Sequence, residues 1–335
     1  MKKILLPEGK GRFKANLHCH TTVSDGRMTP EEVKEYYKER GYSIVAYTDH
    51  EILVGHNELT DGEFLALNGF ELEVYEMLPD TPFKLQKTCH FCLVARDSEN
   101  LMNVACSHGK YVICAGSKPY IDRVVYDESE TDIEREYTPE CINRIMKRCR
   151  DAGFFVTYNH PGWSYEEPWS YMSYEGFHAM EMVNYASCVG GYPEHNEMVY
   201  DQMLRSGKRI FAVAADDNHS AASSCGAYVV VLADKLEYKT VTDALLHGDF
   251  YASEGPEITA LWYEDGNVHI KTSPVCEARM NLGIRGAKIK TSGGESFTEA
   301  TFPLDPDAKY FRITVRDDKG LYAYTSAYFL DELEF

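Results

Sequence analysis

Two stretches of this chain are built alike, and each ends in a histidine. The first runs Thr29-Pro30-Glu31-Glu32-Val33, a helical pattern, Gly41, then an apolar run closing on Ala46-Tyr47-Thr48-Asp49-His50. The second runs Thr138-Pro139-Glu140-Cys141-Ile142, a helical pattern, Gly153, then Phe154-Phe155-Val156-Thr157-Tyr158-Asn159-His160. Threonine before proline marks a helix start, Glu32 completes a capping box in the first copy, and each glycine stands where a helix stops. The short β-rich run that follows is apolar on both faces, as a buried parallel strand is. Looser copies occur elsewhere: Ala15 to Leu17 lead into His18-Cys19-His20, Leu65 to Phe70 into Glu71, and Ile210 to Ala215 into Asp216-Asp217-Asn218-His219. Helical patterns near 193–206 and 240–247 fall between the later strands. Such repetition predicts an α/β fold, a (βα) barrel whose chemistry gathers at the strands' C-terminal ends. A doubly wound open sheet would place its ligands similarly and stays open at this point.

Past Ser253-Glu254-Gly255-Pro256 the pattern changes. Asp265-Gly266 and Asp318-Lys319-Gly320 are hairpin signals flanked by alternating runs such as Phe311-Arg312-Ile313-Thr314-Val315-Arg316, with no helical period. The chain is therefore expected to divide into a barrel over 1–254 and a small antiparallel, sandwich-like β domain over 255–335. Residues 127–136, with six acids and one arginine, read as a solvated loop.

Composition narrows the function classes. With 34 basic and 53 acidic residues the net charge is −19, which opposes a sequence-independent grip on long nucleic acid. The N-terminal apolar run stops at Pro7, too short for a leader, and no stretch reaches the length of a spanning helix. Ten cysteines in such a context read as reduced thiols. The expectation is a cytoplasmic protein with no membrane partner.

The strand ends carry the chemistry. In an extended segment residues i and i+2 point the same way, so His18 and His20 can reach one ion. Asp25, His50, Glu71, His90, His160, Asp217 and His219 complete a set of nine. Singly, each has an ordinary reading as a cap, a core histidine or a surface acid. Together on one face, six imidazoles and three carboxylates would be costly to bury without cations. Mixed imidazole and carboxylate donors suit Zn, Mn or Fe better than Ca or Mg, and nine donors suit two or three ions. Cys89-x-x-Cys92 has no second pair and reads as core strand. His56, His108, His178, His195, His247 and His269 show no spacing that marks a site.

Asn16-Leu17-His18-Cys19-His20-Thr21, Ser24-Asp25-Gly26, Thr48-Asp49-His50, Gly69-Phe70-Glu71, Cys89-His90-Phe91, Asn159-His160-Pro161 and Asp217-Asn218-His219 together resemble the PHP (polymerase and histidinol phosphatase) superfamily. The match spans about residues 12 to 254 in order, and all nine ligand positions hold the expected residue types. Gly248 to Pro256 and the β segment resemble stand-alone members with a C-terminal β extension. One departure is the segment after His90, which lacks the family's common Leu-Gly-Tyr ending. The resemblance implies a distorted (βα)7 TIM-like barrel. It implies a first metal held by His18, His20, Glu71 and Asp217, a second by Glu71, His90 and His160, and a third by Asp25, His50 and His219.

The reaction expected is hydrolysis of a small phosphomonoester, with a metal-bridging hydroxide attacking phosphorus in line. No Gly-x-Ser-x-Gly elbow or P-loop is present, consistent with a route without a protein nucleophile. Asp49 and Asp216, each beside a ligand, are candidate acceptors for orienting imidazoles, with strand-end capping the simpler role. Arg27, Lys118 and Arg123 are candidate substrate contacts, the last two in the insertion between His90 and His160. Tyr158, Trp163, Tyr165 and Trp169 are candidates for an apolar wall. The alternatives are a phosphodiesterase or 3′–5′ exonuclease on nucleotides or short oligonucleotides, a carboxylic ester or carbamate hydrolase, and a non-enzymatic metal-binding protein.

Overall fold

The computed structural model describes residues 2–79, 81, 84–105, 107–128 and 132–333. Helix and strand boundaries follow the punctuation in the sequence. Thr29 caps helix Pro30–Lys38 and forms the full capping box with Glu32, and Thr138 caps helix Pro139–Asp151. Gly41 and Gly153 take positive φ of 77° and 90°, so the chain can turn into strands Ile44–Tyr47 and Phe154–Tyr158 without a Cβ clash.

Seven strands stand side by side in the order Gly11–Asn16, Ile44–Tyr47, Leu65–Met77, Leu85–Ala95, Phe154–Tyr158, Ala179–Asn184 and Phe211–Ala215. Beyond its last strand residue the first strand meets the seventh. Cys19 and Asn218 form a parallel bridge, His20 N–H donates to the Asn218 carbonyl (3.1 Å), and Asp217 N–H donates to the His18 carbonyl (3.0 Å). Each of the seven strands sends a side chain into one apolar cluster, among them Ala15, Ile44, Leu67, Val94, Phe155, Ala179 and Val213. Val241, Ala244 and Leu245 of helix Tyr238–His247 join that cluster.

The result is a mixed α/β molecule with one large sheet and few helices. It is not a regular (βα)7 alternation. Strand Leu85–Ala95 runs antiparallel to both neighbours, because a hairpin rather than a helix links it to Leu65–Met77. Ile44–Tyr47 likewise passes to Leu65–Met77 through a single 3₁₀ turn, Asn57–Leu59. Consequently Glu71 lies inside a long strand, Leu65–Met77, and not at the strand end expected from the sequence, and His90 lies inside the next, Leu85–Ala95.

The sheet continues from Gly11–Asn16 through Tyr228–Ala233 and Phe250–Ser253 into Tyr322–Tyr324, Tyr310–Arg316, Glu277–Leu282 and Ala287–Thr291. A second sheet orders Lys2–Leu6, Ile258–Glu264, Asn267–Val275 and Phe297–Pro303. Leu261, Ile270 and Phe302 of this sheet pack with Met280, Phe311 and Ile313 of the other, a two-layer arrangement. The chain's first strand is thus part of the C-terminal β layers. Asp265 and Gly266, both at positive φ, make the two-residue turn that the sequence signalled.

Arg312, the polar member of the alternation in Phe311-Arg312-Ile313, is fully buried. Helix Glu197–Arg205 covers its face of the strand and offers Glu197 and Asp201 to the guanidinium. The nine described cysteines form no disulfide. Among the described residues no helix is long and apolar enough to cross a membrane.

Candidate metal centre

His18 and His20 leave the first strand on the same side, and their Nε2 atoms lie 3.0 Å apart. Asp217 Oδ1 is 3.2 Å from the first and 3.1 Å from the second. Three donor atoms at these separations match the edge length set by a divalent ion with bonds of roughly 2.0–2.2 Å, about 3.0–3.5 Å.

Glu71 is the hub. Its Oε1 lies 3.2 Å from His18 Nε2, 3.1 Å from His90 Nδ1 and 3.3 Å from His160 Nε2. Its Oε2 lies 3.0 Å from His50 Nδ1 and 3.4 Å from His20 Nε2. Asp25 Oδ2 stands 3.6 Å from His50 Nε2 and 3.5 Å from His219 Nε2. The structure therefore brings all nine sequence-selected residues together. They fall into four overlapping donor groups: His20, Asp25, His50 and His219; His18, Glu71 and His160; His18, His20 and Asp217; His50, Glu71 and His90. His20 joins the Asp25 group as well as the Asp217 group, so the donor sets overlap more than the family pattern divides them.

The electrostatics show a site short of positive charge. Burial opposes ionisation of Glu71 and Asp217, yet the surrounding imidazoles hold both carboxyls well below their ordinary range. Burial likewise opposes protonation of His18 and His90, but the carboxylates raise both well above the usual imidazole value. His20 goes the other way. Burial, then the neighbouring charges of His50 and His219, push it down to about 3. Both ring nitrogens of His90 and Nδ1 of His20 are buried without a hydrogen bond, although His90 lies close to Glu71 and Glu73. Buried nitrogens aimed at carboxylates yet out of hydrogen-bond alignment suit an ion between them. On these grounds the residues fit divalent cations.

The backbone is bent to serve this arrangement. His160 and Asp217 adopt positive φ, 25° and 53°, which non-glycine residues rarely do. Glu181 secures the first bend by accepting the His160 backbone N–H (3.0 Å). The same carboxylate takes His18 Nδ1 at 2.8 Å and the Asn184 amide at 2.9 Å. Asn159 Nδ2 donates to Glu71 Oε1 (2.7 Å) and to Cys92 Sγ (3.2 Å). Neither Glu181 nor Asn159 was singled out from the sequence. A glutamate inside the otherwise apolar run Ala179–Val183 was the available signal. Glu181→Gln is expected to weaken Mn²⁺ binding about 10- to 100-fold, since a carboxylate that fixes a ligand's ring is worth that much. Calorimetric titration checks this, and an unchanged affinity would contradict the role.

The two aspartates proposed to orient imidazoles do something else. Asp49 accepts the Thr21 N–H, the Thr21 hydroxyl and the Ser24 hydroxyl at 2.6–2.8 Å. Asp216 accepts Tyr37 OH and the N–H groups of Cys225, Gly226 and Ala227. Both tie down loops that carry ligands. They sit one residue before a ligand, so their side chains face away from the cluster.

Above the cluster opens a cavity of about 380 Å³ walled by Tyr111, Ile113, Trp163 and Tyr192. Trp163 packs edge-on to His90 and His160. Of the other three aromatics suggested for this wall, Tyr158 is buried against Glu166, and Tyr165 and Trp169 are largely exposed. Arg27, Lys118 and Arg123 are exposed, and none lines the cavity. The cause for the last two is the docking of segment Ala115–Arg123. Ser117 Oγ donates to the Val23 carbonyl (2.8 Å), and a Cβ on Gly116 would stand 2.2 Å from the Ser24 carbonyl. Gly116→Ala is therefore expected to lift this segment off the Asp25 loop, read as faster amide exchange over 115–123 with the strands unaffected.

The acidic stretch 127–136, part of which lies outside the described residues, supplies a contact the solvated-loop reading missed. Arg135 is buried. It donates to Glu51 Oε2 (2.7 Å) and to the Glu73 carbonyl (2.6 Å) at the cavity's edge.

No protein-family model and no curated protein matches the chain. Among solved structures it is similar to a two-domain protein from Bacteroides vulgatus described as containing a predicted PHP-like metal-dependent phosphoesterase. The identity is 14% over 97% of this chain and 98% of that one, with a TM-score of 0.47. A protein from Bifidobacterium adolescentis, provisionally named a metal-dependent phosphoesterase, matches at 17% identity over 64% and 89% of the two chains, TM-score 0.40. An amidohydrolase from Chromobacterium violaceum with bound sulfate and no metal matches at 14% over 70% and 96%, TM-score 0.42.

Proposed function

We propose that this chain is a metal-dependent hydrolase of the PHP type acting on a small phosphomonoester. The observation that carries the reading is the convergence of nine imidazole and carboxylate side chains around Glu71, under a cavity of about 380 Å³. When bound, two or three Zn, Mn or Fe ions would clamp phosphoryl oxygens and supply a nucleophile from water near neutral pH. The chain's own part is positional. Glu71 would be shared between ions, His18, His20 and Asp217 would hold one of them, and Asp25, His50 and His219 would hold another at the cavity side. Glu181 and Asn159 fix His18 and Glu71 before any ion arrives. Trp163, Tyr111, Tyr192 and Ile113 exclude water and offer an apolar surface to the leaving group.

Among the described residues no lysine or arginine lines the cavity, and Arg135 at its edge is committed to Glu51. A phosphate would thus depend on the bound ions for its countercharge. The same lining favours a second reading, hydrolysis of an uncharged carboxylic ester or carbamate.

A panel of phosphomonoesters, phosphodiesters and carboxylic esters, offered to Mn²⁺-loaded protein, separates these. Phosphate release from monoesters alone is expected. Cleavage of diesters only, or of carboxylic esters only, would replace the phosphomonoester reading. No turnover with metal bound would overturn it.

A further inference from the structure

Helix Tyr185–Val189 contributes Ala186 and Ser187 to the cavity lining, and its next residue along, Cys188, faces another way. Cys188 Sγ lies 3.9 Å from His195 Nδ1, and the opposite ring nitrogen of His195 lies 3.1 Å from Glu254 Oε1. Glu254 is itself fixed. Its Oε2 accepts the Tyr322 N–H (3.3 Å), and its own N–H donates to the Tyr322 carbonyl (2.9 Å). His195 is held by an antiparallel bridge to Val183. Thiol, imidazole and carboxylate thus stand in line between strand Ala179–Asn184 and the β layers, outside the nine-residue cluster.

We infer that Cys188 is a reactive thiol, activated by His195 and Glu254, and that it forms mixed disulfides with low-molecular-weight disulfides. The arrangement is that of an activated nucleophile, with an imidazole beside the sulfur and a carboxylate orienting the ring. A thiol beside an imidazolium loses its proton more readily, and the thiolate is the attacking form. Both neighbours favour the imidazolium: the Cys188 bond, then the Glu254 bond, raise His195 to about 10. The site is open to reagents, since the His195 side chain is 46% exposed and Cys188 is half-buried. In the step, the Cys188 thiolate attacks one sulfur of a disulfide R–S–S–R, a Cys188–S–S–R bond forms, and R–S⁻ leaves with the electron pair of the broken bond. The oxidant is that disulfide, and no other co-reactant is needed. The added group would sit on the short helix that lines the cavity.

The test is competitive labelling of the full chain with limiting iodoacetamide, and separately with oxidised glutathione, each cysteine being quantified by peptide mass spectrometry. At pH 7 Cys188 is expected to react about tenfold or more faster than Cys114, Cys225 and Cys276, which are also partly exposed. His195→Gln is expected to abolish that advantage and Glu254→Gln to reduce it. Labelling of Cys188 at the rate of the other three would overturn the inference. So would an undiminished rate in a folded His195→Gln protein.

Discussion

Glu71→Gln is expected to reduce turnover by about 10³-fold, the loss that follows when roughly 4 kcal/mol of transition-state stabilisation by a shared metal clamp is removed. The glutamine keeps the shape and the bond from Asn159 but forfeits the charge that five imidazoles face. Without that charge the neighbouring histidines repel one another and any cation that enters. The loss should therefore appear as a deficit of bound ions before it appears as a defect in chemistry. Steady-state kinetics and metal analysis on the same preparation check this. A variant that keeps its full ion count and full rate would show that Glu71 is not the shared ligand.

Arg312→Leu should cost about 3–5 kcal/mol of stability, the usual effect of stripping one partner from a buried ion pair. Arg312 is fully buried. Its guanidinium donates to both oxygens of Asp201 (2.7 and 2.8 Å), to Glu197 Oε2 (2.9 Å) and to Thr314 Oγ1 (2.9 Å). Arg279 supports Glu197 from the other side at 2.8 Å, but among the described residues Asp201 keeps only the Asn281 amide at 3.3 Å. Leucine fills the volume and leaves a carboxylate covered and unpaired. Chemical denaturation is the measurement, and a change under about 0.5 kcal/mol, typical of a surface site, would contradict the account.

The same network sets an acid dependence. Burial opposes ionisation of Glu197, yet Arg312 and Arg279 hold its carboxyl below the ordinary value of 4.5. A carboxyl lowered on folding contributes stability that is present above its unfolded value and lost as pH falls through its folded one. Wild-type stability should accordingly decline below about pH 4.5, and the decline should be shallower in Arg312→Leu.

These two predictions also divide what the sequence discloses from what it does not. His18 and His20 are readable because an extended chain repeats its direction every second residue. His50 and His160 are readable because Thr-Pro starts and glycine stops bracket the helices before them. Arg312 is hidden because alternation identifies two faces of a strand, not which face a helix from elsewhere in the chain will cover. The strand Phe311–Val315 has both faces buried, one in the β-layer core and one under Glu197–Arg205. Strand direction is equally silent. Nothing local in Leu85–Ala95 says that it runs antiparallel, yet that direction is what pairs His90 with Glu73 and puts Glu71 two residues away on the same side. Lys118 and Arg123 were selected for charge near an insertion, and the insertion's docking through Gly116 turned them outward.

The most direct measurement is an ion count. Chelator-stripped protein would be titrated with Mn²⁺ and the tightly bound metal read by spin resonance and elemental analysis. The account predicts two or three ions per wild-type chain and a reduced count in Glu71→Gln. Less than one ion per wild-type chain would contradict it.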